Sequence, residues 1–367
     1  MAYSTSDLPF ETLLLPMARA EDRLARLDEA IRLDAVGAGY IARGHFREAA
    51  AALRVAGTLV DLEDLVLHDA AMDVRAPTHE LTIAHAILRA RRRIAGAEPD
   101  WALSPAGLAA LGGIARDDLG DFDIATGAEL ADDALDDADP DAAGSDGFAE
   151  IDAILSRSRR LLDGLSIGAG GSIADGLAVS QQDVVRDERS RLADWQGVER
   201  RVAGLPPTLA AALLFDAWER LRLMPHAPWL GGLVAGAYLR RCGKATAHLP
   251  ALYIGLRQVP PEKRRHRDRT VRLLGILQAI EAAADAGLKE IARLTQSRAQ
   301  FERRLQGRRS SSSLPAVADL VLSRPIVSAA MIARAANVTP RAALALVADL
   351  GVREVTGRGR YRAWGIL

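Results

Sequence analysis

The stretch from Ser328 to Gly351 leaves the chain almost one way to fold locally. Ser328 can accept a backbone N–H at the start of a helix over Ala329–Ala336. Asn337 follows, one of the few residue types besides glycine that tolerates positive φ. Thr339 can cap a second helix, and Pro340 falls at its first position, where the missing N–H costs nothing. That helix runs to Leu350 and stops at Gly351. Ile332, Ala333, Ala336, Val338, Ala343 and Leu346 are spaced so that the helices cross over a small shared core. Ala333 and Ala336 permit a close approach.

Beyond Gly351, residues Val352–Thr356, then Gly357-Arg358-Gly359-Arg360, then Tyr361–Ile366 read as strand, turn, strand. The combined pattern over residues 314–367 resembles a winged helix-turn-helix domain. The resemblance implies that the second helix enters the major groove of double-stranded DNA and that the hairpin touches the backbone or minor groove. Ser328, Thr339, Arg341, Arg358, Arg360 and Arg362 are the candidate DNA-contacting residues. After Thr339 and Arg341 the second helix offers Ala342, Ala345 and Asp349, a poor set for reading base edges. The hairpin arginines suit phosphates, so contact is expected mostly with the DNA backbone.

Upstream, apolar residues recur mainly at helical spacing. Helices are expected over Phe10–Leu33 (one or two), Phe46–Leu67 (a pair broken near Gly57) and His79–Ile94. Further expected helices are Ile151–Leu162, Val179–Val202, Leu209–Leu223, Leu230–Arg241 and a long pair across Arg269–Leu305. Aromatics make up only 4% of the chain, so its core must be built mostly from Ala, Leu, Val and Ile. Ser310–Ser313 reads as a linker.

The formal net charge of −1 hides a segregation. Residues 117–152 hold 14 Asp or Glu and no Lys or Arg, whereas residues 301–367 hold 11 Arg and no Lys against 4 acids. The acidic stretch, with Pro140 inside it, is expected to be a flexible linker or solvated loop. Expected boundaries are therefore 1–116 for an N-terminal helical region, 117–150 for the acidic segment, 151–309 for a helical core and 314–367 for the C-terminal domain. The run Lys263, Arg264, Arg265, His266 and Arg267 is the densest positive cluster. It reads either as a solvated helix start or as a phosphate-contacting surface, with Lys263, Arg264, Arg265 and Arg267 as its candidate residues.

Several chemistries are excluded by what the motifs need. Gly164–Gly168 fits G-x-S-x-G, but a nucleophile elbow requires a strand before it and a helix after it. In Gly168-Ala169-Gly170, Ile173 stands where a dinucleotide fingerprint needs its third glycine. The seven histidines form no H-E-x-x-H pattern, and the single cysteine, Cys242, excludes an internal disulfide or a multi-cysteine zinc site. No catalytic residue, metal or cofactor is expected. Without 18 consecutive apolar residues there is no expected membrane span, and Asp7 and Glu11 argue against an export signal. The expected compartment is the cytoplasm.

Three stretches of the body resemble the Fic superfamily. These are Arg54–Thr58 with Leu62–Leu65, Leu205-Pro206-Pro207 through Trp218-Glu219, and Leu252–Arg272. The resemblance implies a helical body, and family members often end in a winged helix. The family's catalytic motif, H-P-F-x-(D/E)-G-N-G-R-x-G-R, is not intact. Anchored on Trp218-Glu219, its His falls on Arg222, its Asn on Pro228 and its first Arg on Leu230. Started at His226 it recovers Gly231 and Gly236, but places Leu230 at the acid, Gly232 at the Asn and Val234 at the Arg. Ala56 stands at the family's inhibitory Glu. The runs Pro228–Gly231 and His248–Leu256 resemble a bacterial helix-turn-helix family of undefined role.

The expected fold is mainly α, a Fic-like helical body followed by a winged helix-turn-helix with a small β-hairpin. The expected function is DNA binding, as in transcriptional regulation, with double-stranded DNA as partner. The body would then serve as a dimerisation (homodimer) or effector-sensing module. Two alternatives stay open, a Fic-like nucleotidyltransferase and a protein-binding adaptor or antitoxin-like partner.

Overall fold

The computed structural model describes residues 3, 5–72, 76–124, 188, 190–306, 313–356 and 362–366. The Gly-rich stretch 164–176, the helix expected at Ile151–Leu162 and most of the acidic segment lie outside them. Met1–Ile124 and Ala193–Leu367 cluster as one compact unit, and Ala125–Leu192 as another.

In chain order the first unit contains α1 (Phe10–Leu33), α2 (Gly37–Ala56), α3 (Leu62–Asp69), α4 (His79–Gly96) and α5 (Pro105–Ile124). Residues 190–202 are helical. Then follow α6 (Pro207–Leu221), α7 (Leu230–Arg241), α8 (Leu252–Leu256), α9 (Pro261–Arg264) and α10 (Arg269–Leu305). The C-terminal part holds α11 (Leu314–Ser323), β1 (Val327–Ser328), α12 (Ala329–Ala336), α13 (Pro340–Leu350), β2 (Arg353–Glu354) and β3 (Ala363–Gly365).

The backbone of this arrangement is α10, whose 37 residues span about 55 Å. Periodicity over this stretch suggests a pair of helices, but no proline interrupts it. Leu273, Ile276, Leu277, Ile280, Ala284, Ile291, Leu294 and Phe301 keep one face apolar to the end. A single helix buries that whole face. Both α1 and α8 pack against it. At the α8 crossing a Cβ on Gly255 would stand 1.8 Å from the Ala279 carbonyl oxygen, so only glycine admits this contact.

Three other boundaries differ from the sequence reading. α2 begins at Gly37 rather than Phe46. Its glycine-containing first turns have weak intrinsic propensity, yet a Cβ on Gly39 would lie 2.8 Å from the Leu322 carbonyl. Close packing of α2 on α11 explains both the glycine and the extra turns. α5 continues through Ile124, so residues 117–124 are helical rather than loop. The sheet has a third strand, since β3 pairs antiparallel with both β2 and β1, in register Val327↔Trp364 and Arg353↔Gly365. β1 is only two residues long, too short for an alternation pattern to reveal.

Buried polar side chains fix the loops between helices. Glu48 on α2 is fully buried and accepts the Tyr253 and Ile254 N–H groups, each at 2.9 Å, at the start of α8. Arg91 on α4, also buried, donates to the Leu249 and Pro250 carbonyls just upstream. The C-terminal elements share their core with the body. Leu314, Val321, Ile332, Val347 and Trp364 lie in one apolar cluster with Leu27, Tyr40, Ile291, Leu294 and Phe301.

Candidate nucleic-acid interface

The local grammar of residues 328–351 is realised in atomic detail. Ser328 Oγ accepts the Met331 N–H at 3.2 Å to open α12. Asn337 ends that helix at φ 51° and ψ 50°. Thr339 Oγ1 accepts the Ala342 N–H at 3.3 Å to open α13, Pro340 sits at its start, and Gly351 closes it at φ 59°. Met331, Ile332 and Ala333 pack from α12, and Ala343, Val347 and Leu350 from α13. Each cap satisfies an N–H that the helix itself leaves orphaned, and each contributes about 1 kcal/mol. Ser328 and Thr339 therefore act on helix placement through their acceptor oxygens.

The solvent face of α13 carries Arg341, Leu344, Ala345, Ala348 and Asp349. Arg341 is its one cation. Arg362 immediately precedes β3 and lies beside Glu354, donating from Nε and Nη2 to Oε2 at 2.9 and 2.6 Å, with its guanidinium 5.4 Å from the Trp364 ring centroid. Its charge is offset locally by Glu354. Arg358 and Arg360 lie outside the described residues. Two exposed arginines escaped the motif reading, Arg334 on α12 and Arg353 on β2. The arginine surplus of residues 301–367 was the only signal that included them.

A buried polar latch holds these elements on the body. Arg43 on α2 donates from Nε to Glu290 Oε1 at 3.0 Å, and from Nη1 to the Val321 carbonyl at 3.2 Å and to that of Arg324. Arg43 Nη2 also reaches the Ile366 carbonyl at 3.4 Å, and Arg293 Nη1 donates to the same oxygen at 2.9 Å. Glu290 takes further contacts from Arg47 at 3.2 Å and Arg293 at 2.6 Å. Burial raises the cost of the Glu290 carboxylate, but the three arginines outweigh it and hold the pKa below its usual value. Burial pushes Arg43 down to about 10 despite Glu290. Asp69 of α3 adds an ion pair to Arg324 at 3.1 Å.

The basic cluster at 263–267 is a separate region. Arg264 donates from Nε to the Val259 carbonyl at 3.1 Å and from Nη1 to that of Val55, near the C-terminal end of α2. The latch grips α2 at Arg43, about 18 Å away along the helix axis. Arg264 and Arg265 line a cavity, while Lys263 and Arg267 are exposed and do not border it. Four cations adjacent in sequence are thus split between the cavity lining and the open surface.

Comparison with known proteins bears on both halves of the chain. Residues 181–306 match a family described as "Protein of unknown function (DUF1612)", and residues 314–367 match one described as "HTH DNA binding domain". The latter range takes in all of α11 to β3, so the chain carries a helix-turn-helix DNA-binding domain. The Sinorhizobium fredii (strain NBRC 101917 / NGR234) protein named "Uncharacterized protein y4cF" is 43% identical over an alignment covering 100% of both chains. Among the described residues no helix is long and apolar enough to cross a membrane.

Proposed function

The chain belongs to the same family as y4cF, and on that premise we propose that it is a transcriptional regulator that binds duplex DNA through a winged helix-turn-helix. The observation that carries this reading is the capped α12–Asn337–α13 unit set against an antiparallel sheet. α13 would enter the major groove, with Arg341 near its leading end. Arg358 and Arg360 would meet phosphates. An exposed helix face with one arginine and several apolar residues supports a site held more by backbone charge than by base reading.

The helical body is proposed as a dimerisation or effector-sensing module. Phe10, Leu14 and Leu15 stay largely exposed on α1, which supports the dimer. Were the body Fic-like, it would be catalytically degenerate. Leu230, Gly232 and Val234, where the motif calls for an acid, an Asn and an Arg, are all buried in α7 and offer no charge.

The test is an anisotropy titration of the full-length protein on labelled duplexes at several salt concentrations. Affinity should fall steeply with salt. The double substitution R358A/R360A should weaken binding on every duplex by a similar factor and flatten the salt slope. Unchanged affinity in that variant would sink the hairpin assignment. Absence of duplex binding at low salt would sink the function.

A further inference from the structure

We propose that the cavity bordered by α2, α6, α8 and α10 binds a small organic acid with an apolar or aromatic body, its anionic group held by Arg264 and Arg265. The cavity has a volume of about 650 Å³, within the range of small-molecule sites. Leu53, Leu256 and Ile276 supply an aliphatic wall, and Phe215, Trp229 and Tyr253 an aromatic one. That aromatic wall is pre-formed. Tyr253 meets Phe215 edge-on at 6.3 Å between centroids, and its hydroxyl accepts the Gly232 N–H at 3.3 Å.

The charges on the wall select an anion. Arg272 is committed to Asp216, donating to both carboxylate oxygens at 2.6 and 2.9 Å, and Tyr3 donates to the same carboxylate at 2.6 Å. That cluster is close to neutral as a unit. Burial, reinforced by nearby Asp216, pushes the Glu219 carboxyl up, which weakens the one remaining negative charge. With Arg220 also on the wall the balance is positive, and Arg264 is held in place by the Val259 and Val55 carbonyls. A guanidinium pair beside a buried aromatic wall matches an acid group joined to an apolar body. Lys263 and Arg267 stay outside the cavity, so this is a site and not simply a basic surface. The proposal stands whether or not the C-terminal domain binds DNA.

The test uses the full-length protein and anilinonaphthalene sulfonate, a fluorescent probe with the required acid group and aromatic body. Emission should rise and saturate at one probe per chain, and benzoate should displace it. Arg265 is exposed, so R265A should fold normally, checked by circular dichroism, and bind about tenfold more weakly. R267A should bind like the parent. Ala56 borders the cavity from the end of α2, and A56W should abolish saturable binding by filling the space. The proposal is overturned by a rise that does not saturate, by equal weakening in R265A and R267A, or by full binding in A56W.

Discussion

Removing the latch between body and DNA-binding domain from either end should have unequal consequences. In Arg43→Met the aliphatic stem is kept while the charge and its donors go. The Val321 carbonyl is left buried, which costs about 1–3 kcal/mol. A cation is also lost from the C-terminal end of α11, worth about 0.3–2 kcal/mol. Glu290 keeps Arg47 and Arg293, so no carboxylate is stranded. The expected total is about 3 kcal/mol. In Glu290→Ala the loss falls differently. Arg43, with 3% of its side chain exposed, loses the Glu290 carboxylate and still faces Arg47 and Arg293. An uncompensated buried charge costs about 3–5 kcal/mol, and the repulsion adds to it. E290A should therefore be the more destabilised variant. The assay is urea unfolding of the full chain, followed by far-ultraviolet circular dichroism and by tryptophan fluorescence. Coincident transitions are needed before free energies are assigned. A loss below about 1 kcal/mol in R43M, or a smaller loss in E290A than in R43M, would refute the reasoning.

Two further outcomes follow from single buried positions. His45 is 9% exposed, and burial, then Arg91 and Arg92, pushes its pKa down to about 3. The unfolded chain takes up that proton near the ordinary histidine pKa of about 6.5, and the folded chain does not. Stability should thus fall with decreasing pH between about 6.5 and 3, by about 1.4 kcal/mol per unit from this group. H45Q should flatten the pH dependence of the urea midpoint in that window, and an unaltered slope would exclude His45 as its source. At the α8–α10 crossing, Gly255→Ala should cost about 3 kcal/mol or prevent folding, because its Cβ meets backbone that cannot swing aside. A wild-type melting midpoint for G255A would show that the crossing is looser than described.

The sequence alone determined what depends on near neighbours. Ser328, Asn337, Thr339, Pro340 and Gly351 each act within a few residues, through a cap, a positive φ or a missing N–H. The helix-turn-helix was therefore legible to the residue. Helical periodicity likewise placed α1, α4, α6 and α7, because one apolar stripe needs no partner to be recognised. Tertiary structure decided the roles of the charges. Arg43 and Glu290 lie 247 residues apart, and nothing local marks either as buried or paired. Glu48 takes its role from the start of α8, more than 200 residues away in sequence, whose N–H groups it accepts. Arg362, one of three hairpin arginines in the sequence, is matched by Glu354 across the sheet, whereas Arg334 and Arg353 stand exposed. Of the four Lys and Arg residues in the run at 263–267, two line a cavity and two do not border it. Periodicity and caps report what a residue does to its own backbone. Whether a charge is paired, buried or free depends on which distant segment packs against it.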